Sequence, residues 1–236
     1  MHKYLRKSLI FLTFTFGAIL SACSGESTEE QLHNHLEEAV VLEEGFEQQQ
    51  NEITELERQE QELYSEVIEL NMEEFDQIQE ISQEAIGIID QRSEVMELEK
   101  ESIDASQEEF NNISDLIDDI EEEAVREKIE DMYTVMSDRY SAYDNLYEAY
   151  MISLELEREL YTMLQQEDIE QEDLTEQITA INDSYQDVLE ANDQFNEGTI
   201  EYNALKQEFY ELSDINVEYE ENPASETSDA DEEDDA

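Results

Sequence analysis

From about residue 29 to residue 212, apolar residues recur at steps of three and four, the period of a helix that buries one face. Two series run at strict intervals of seven. One is Phe75, Ser82, Ile89, Met96, Ile103, Phe110 and Ile117; the other is Leu174, Ile181, Val188, Phe195, Tyr202 and Phe209. A repeat of seven gives a narrow seam that faces partner helices in a left-handed supercoil.

The breaks in this pattern are weak. Thr28-Glu29-Glu30-Gln31 reads as a capping box that opens the first helix. A second helix starts after Leu70, where Asn71 can act as N-cap with Glu74 three residues on. The phase shifts between "LIDDI" and "AVREKI", around 118–122, and the stretch "QQEDIEQED" (165–173) offers only Ile169 to a core. The pattern therefore predicts helices over 29–70, 72–118, 122–165 and 171–212, each roughly 65 Å long at the α-helical rise. Near-equal helices with short links pack as an all-α, up-and-down, antiparallel, left-handed four-helix bundle. A three-helix bundle, with one break reduced to a kink, is the alternative. Four limbs return the chain to the end where it began and put the turns at 70–72 and 165–171 together at the far tip.

Composition supports helices over sheet: the chain of 236 residues holds 5 Gly and 1 Pro, and it is rich in Glu, Gln and Leu. Hydrophobic residues make up 39%, enough for a core and too many for a polyanion disordered throughout. The sole proline lies in "NPASETSDADEEDDA" (222–236), which lacks large apolar residues, so 213–236 is expected to be a disordered acidic tail.

The first 22 residues have a separate logic. Lys3, Arg6 and Lys7 precede an apolar run of 12, "LIFLTFTFGAIL". A membrane span needs roughly 20 such residues, so residues 1–22 read as a signal peptide. The run ends in Leu20-Ser21-Ala22-Cys23, which matches a lipobox, and Cys23 is the only cysteine in the chain. With no internal disulfide available, its thiol is the expected attachment point for a diacylglyceryl lipid, and cleavage before it leaves a lipidated stalk over 23–28. Two acyl chains hold durably where one holds marginally. The expected location is the outer face of the cell membrane.

Charge narrows the partners. The chain has 68 Asp and Glu against 11 Lys and Arg, a net of −57. Nucleic acid is excluded, because nothing here can neutralise phosphates. The acidity is spread over all four helices, as in an exported protein of a saline or alkaline habitat; the alternative is a polyanion that concentrates divalent cations at the membrane. Clusters such as 121–123 and 231–235 attract such ions diffusely, but no loop with spaced ligands and a Gly turn is present, so no specific metal or cofactor is expected.

Other candidate chemistry is sparse. Tyr140, Tyr143, Tyr147 and Tyr150 recur at steps of three, four and three, flanked by Tyr133 and Tyr161. That spacing is the spacing of the core, with hydroxyls reaching the rim; a sugar-stacking stripe is the alternative. His33 and His35 point about 200° apart on a helix, cannot share a metal, and are expected at the solvated surface. Arg92 falls on an apolar seam seven residues after Ala85 and requires a carboxylate partner that fixes register. No phosphate loop, nucleophile elbow, CxxC or Ser/His/Asp set can be assembled, so a non-catalytic protein is expected.

The lipobox, "HNHLEEAVVLEEGFEQQQ" (33–50), "EQELYSEVIELNMEEFDQI" (60–78) and "ANDQFNEGTIEYNALKQEFY" (191–210) resemble the YkyA family, cell-wall-binding lipoproteins of Gram-positive bacteria. The likeness runs from the leader to about residue 212. It implies a bundle of long helices, no catalytic residues, and peptidoglycan or another wall polymer as partner. Members richer in Lys could grip teichoic acid phosphates. With so few cations, this chain must meet the wall through metal bridges, sugar stacking or a protein partner. The expected role is a membrane-anchored wall-binding or scaffold module that makes contact through the turns near Asn71 and 165–171. An anionic helical adaptor for another exported or membrane protein is the alternative.

Self-repulsion at this charge is relieved as salt shortens the Debye length. Thermal melts from low to molar sodium chloride should show a steep rise in Tm; a flat Tm would remove repulsion as a determinant of stability.

Overall fold

The computed structural model describes residues 27–213, so Leu20, Ser21, Ala22 and Cys23, the leader and the tail beyond 213 lie outside the described residues. Local chemistry sets where the helices start. The first N-cap is Ser27, one residue earlier than the pattern suggested. Its Oγ accepts from the Glu30 N–H at 3.1 Å, and Glu30 Oε2 accepts from the Ser27 N–H at 2.9 Å. Serine caps better than threonine, and a carboxylate closes the box more strongly than the Gln31 amide would. At Asn71 the expected box forms: Oδ1 accepts from the Glu73 N–H at 2.9 Å, and Glu74 Oε2 accepts from the Asn71 backbone and side-chain amides. Such a cap contributes about 1 kcal/mol.

Six α-helices with two short 3₁₀ turns make four limbs. Limb one is α1 (Thr28–Leu42) followed by α2 (Glu44–Val67). Limb two runs from a 3₁₀ turn at Met72–Glu74 through α3 (Phe75–Phe110), a second 3₁₀ turn at Asn111–Ile113, and α4 (Ser114–Ile117). Limb three is α5 (Glu123–Leu164), and limb four is α6 (Gln171–Leu212). Among the described residues there is no strand, and no helix is long and apolar enough to cross a membrane.

Side-chain partners give the register. Moving up limb one, Glu43, Gln50 and Glu60 meet Ser106, Glu99 and Arg92 of limb two in falling order. Those in turn meet Tyr140, Tyr143 and Tyr150 of α5. Along α5, Lys128, Arg139 and Glu157 meet Glu208, Thr199 and Tyr185 of α6. Glu37 and Tyr210 close the circle at 2.6 Å. Every neighbouring pair is thus antiparallel, and the four-limb bundle holds over its three-limb alternative. The two far turns meet: the Gln79 side chain donates to the Gln165 carbonyl, and Leu70 and Leu164 pack on one small core of Val67, Ile78 and Ile81.

Both heptad series lie where the pattern put them. Ser82, Ile89, Met96, Ile103 and Phe110 are buried, as are Ile181, Phe195, Tyr202 and Phe209; Phe75, Ile117, Leu174 and Val188 are half-buried. Phe110 contacts the edges or faces of Tyr133, Tyr140 and Tyr202.

Limb one is broken at Glu43, which the periodicity did not reveal. Ser102 of α3 supports the break: its Oγ donates to the Leu42 carbonyl at 2.6 Å and accepts from the Phe46 N–H at 3.2 Å. Gly45 gives it room, since a Cβ at 45 would sit 2.9 Å from that oxygen. Ser102→Ala should cost about 1–2 kcal/mol in urea unfolding at high salt. Gly45→Ala should destabilise through the contact, and less so in the Ser102→Ala background, where the oxygen contact is gone and only the tight 3.1 Å approach to the Cβ of residue 102 remains. Strict additivity in that double-mutant cycle would disconnect the two residues.

Candidate functional site: the cleft between limbs one and four

The backbones of limbs one and two, two and three, and three and four approach closely, whereas limbs one and four stand further apart. A cleft follows that seam. Three cavities of about 600, 280 and 380 Å³ open along it in succession. Gln50, Leu146 and Asn192 line both the first and the second, and Glu57 lines both the second and the third, so the three are neighbours along one seam. Apolar side chains remain exposed along its walls: Val40 on limb one, and Ile178, Tyr185 and Leu189 on α6.

The floor is polar, in three layers. In the first, Glu43 turns inward at the break and takes a bidentate pair from Arg139, Nη1 at 2.8 Å and Nη2 at 2.7 Å. The Ser106 hydroxyl also donates to Glu43 and is bonded to the Tyr140 hydroxyl. Arg139 Nε donates to Thr199 Oγ1 at 2.7 Å, and its guanidinium carbon lies 4.4 Å from the Phe195 ring centroid. Gly198 lets the α6 backbone close on this arginine, for a Cβ there would come within 3.1 Å of the Arg139 Cβ.

In the second layer, fully buried Glu99 accepts from Gln50 Nε2 at 2.6 Å and from the Tyr143 hydroxyl at 2.8 Å. Burial raises its pKa, and the two donors offset part of that. The third layer centres on Arg92. Nη1 donates to Glu60 and, at 2.6 Å, to Glu157; Nε and Nη2 donate to the Tyr150 hydroxyl at 3.0 and 2.8 Å. Tyr150 donates to Glu57, and Tyr185 donates to Glu157, both at 2.7 Å. Burial opposes the charge on Arg92, but Glu157, Tyr150 and Glu60 outweigh it and hold the guanidinium protonated. Burial and then the charge of Glu157 push Glu60 up to about 7, against the pull of Arg92.

The carboxylate partnership expected for Arg92 is present. Arg139, Glu99, Glu60 and Glu157 were missed, although each had a signal: a polar residue interrupts a buried series of seven. Ala85, Arg92, Glu99, Ser106 and Ile113 form one such series, and Met132, Arg139 and Leu146 another. Tyr140, Tyr143 and Tyr150 are in the core with their hydroxyls committed to the layers, and Tyr147 is half-buried against it. A sugar ring cannot lie flat along them, so the stacking stripe is corrected to a packed seam. The histidines also differ from expectation. His35 is half-buried with Nδ1 2.6 Å from Glu109, and His33 packs edge-on to Tyr210 at 5.1 Å. Helix α3 and the end of α6 cover them, contacts that the spacing within α1 cannot report. Among the described residues no group of three or more His, Cys, Asp or Glu is arranged to hold a metal.

Glu60 gives this layer a pH signature. The folded state holds the Glu60 proton more tightly than the unfolded chain, whose carboxyl titrates near 4.5. That contribution to stability is full below about pH 4.5 and is lost as pH rises through about 7. Urea unfolding from about pH 5 to about pH 8 should show wild type losing ground to Glu60→Gln as pH rises. A constant difference between the two would place the Glu60 pKa in its ordinary range.

The sequence profile of the YkyA family, described as "Putative cell-wall binding lipoprotein", matches residues 27–212. The chain is 34% identical over 199 residues to the uncharacterized lipoprotein YkyA of Bacillus subtilis (strain 168), an alignment spanning 84% of this chain and 89% of that protein. Its fold is similar to the 1.6 Å crystal structure of a conserved protein of unknown function from Staphylococcus aureus, with a TM-score of 0.69 and 19% identity over 80% of this chain and 98% of that one. The bundle with its polar layers and the stretch matched by the profile coincide almost residue for residue, and the chain belongs to the YkyA family.

Proposed function

We propose that this chain is a lipid-anchored, non-catalytic binding protein of the space between membrane and wall, and that the cleft between limbs one and four is its binding face. The open seam is the observation that carries this reading. In a bundle of four similar limbs, three seams close and the fourth keeps a row of adjoining concave surfaces of aromatic, amide and apolar side chains. The family description supplies the wall as the first partner to test. Cys23 is the attachment point in this reading. The first and last described limbs start and finish at one end, where Glu37 meets Lys206 and Tyr210, so the cleft runs outward from the anchored end. This moves the contact surface from the far turns to the side of the rod. The buried cations argue against catalysis, because Arg92 and Arg139 are already bonded to carboxylates. Divalent cations collected by the acidic surface would act as bridges to anionic wall polymers.

One observation favours a protein partner instead: Ile200 and Leu189 of α6 are 71% and 56% exposed, which suits a docking helix. Sedimentation with purified sacculi, with and without magnesium, separates the readings. Wall binding predicts co-sedimentation that falls when Leu189→Arg narrows the cleft. Magnesium dependence would identify bridging ions, and absence under both conditions would favour the adaptor.

A further inference from the structure

We infer that the cavity above the Arg139 layer is a binding site for an uncharged oligosaccharide bearing acetamido groups, held by the amides of Asn192, Asn196 and Asn203 on α6. The inference names a ligand class for the cleft, and rests on the reading of the cleft as the binding face.

It starts from where α6 puts its amides and its acids. Helices α3 and α5 hold one Asn between them, Asn145, whereas α6 holds four. All four line the cleft: Asn182 the cavity over Arg92, Asn192 the middle one, and Asn192, Asn196 and Asn203 the cavity over Arg139. The eleven Asp and Glu of α6 line none of the three. At about 100° per residue, each of them points about 100° or more away from Asn192. In a chain of net charge −57, one face of one helix is thus kept free of acid.

These amides have no structural task. Asn192 is half-buried, Asn196 and Asn203 are exposed, and none of the three makes a side-chain hydrogen bond among the described residues. Asn is a poor residue for a helix interior, because its side chain competes for the backbone; Glu or Gln would hold an exposed helical face better. The cluster therefore weakens α6 beside the largest of the three cavities, and a ligand for the amides gives it a purpose.

The geometry selects the ligand. The cavity holds about 600 Å³, within the roughly 300–1,000 Å³ of small-ligand sites. Asn192 and Asn203 stand about 16 Å apart along the helix axis, which suits several sugar rings in line. Each carboxamide both donates and accepts, as a hydroxyl or an acetamido group does in return. Gln50 faces them from limb one, its Nε2 committed to Glu99 and its Oε1 left to accept. Half-buried Phe46 and Val40, 47% exposed, offer apolar surface to ring C–H groups and acetamido methyls. On the floor, Arg139 and Glu43 neutralise each other. An anion is repelled by the net charge, and a cation gains more from the acidic faces elsewhere. An extended peptide also carries amides, but it is recognised through pockets for alternate side chains, and the α6 rim here is polar.

The probe is chitotriose, titrated calorimetrically into the full chain in detergent. Cellotriose serves as the trisaccharide without acetamido groups, and capped tetra-alanine as the peptide. The expected result is saturable binding of chitotriose, about tenfold weaker binding of cellotriose, and none of the peptide. Asn192→Asp and Asn196→Asp each remove a donor and should weaken chitotriose about tenfold. Asn145→Asp, the same charge change at an exposed position on α5, should leave it intact, with circular dichroism and Tm showing all three variants folded. No binding of chitotriose, equal binding of cellotriose, preference for the peptide, or equal weakening by Asn145→Asp overturns the site. Sedimentation with sacculi that persists while chitotriose fails to bind removes this site and leaves wall binding. Chitotriose binding by a protein that never sediments does the reverse.

Discussion

Two buried guanidinium groups hold this bundle in register. Arg92 projects from α3 and bonds carboxylates on α2 and α5; Arg139 projects from α5 and bonds Glu43 on limb one and Thr199 on α6. Each therefore spans three limbs. In a chain with 68 acidic residues, burying a carboxylate is the default hazard, and a helix that slid by one turn would strand Glu60, Glu157 or Glu43 without a cation. Breaking one buried pair of this kind typically costs several kcal/mol. Apolar seams alone, with their repeat of seven, would tolerate a slip of one heptad; these pairs do not. The cost is that the layers they form cannot be packed as tightly as a leucine seam, and the cavities lie above them.

Much of the fold was legible. Four limbs, their approximate limits, the Asn71 cap and both heptad series follow from periodicity and from the rarity of Gly and Pro, because a helix with one buried face repeats its apolar positions whatever it packs against. The break at Glu43 was not legible. It depends on Ser102, 59 residues away on another limb, filling the gap in the hydrogen-bond ladder. The first cap was displaced by one residue because Ser27 with Glu30 and Thr28 with Gln31 are competing boxes of the same form, and only relative strength decides between them.

The candidate site was half legible. Arg92 stood out because a cation on an apolar seam is conspicuous. Glu99 and Glu157 occupy equivalent seam positions but were lost among many carboxylates, although a buried acid at a seven-step interval carries the same information. The tyrosine repeat was read correctly as core spacing, yet its hydroxyls serve the polar layers and do not reach the rim. The open seam has no sequence signature of its own. It appears as apolar residues on α6 in excess of what the core uses, Ile178 and Leu189 among them.

The circular order of the limbs also sets an order of assembly. Limb one meets limb two across a single turn, but it meets limb four only through partners such as Glu37 and Tyr210, 173 residues apart. Contacts so distant in the chain are the slowest to form, since the intervening loop must close first. A polypeptide emerging from its N-terminus can pair its first three limbs while the last is still being delivered, and until α6 arrives the Phe195 ring and Thr199 hydroxyl are missing from Arg139. The concave face is therefore the final element to be completed, and only a chain whose α6 has been delivered as far as Tyr202 and Asn203 possesses it.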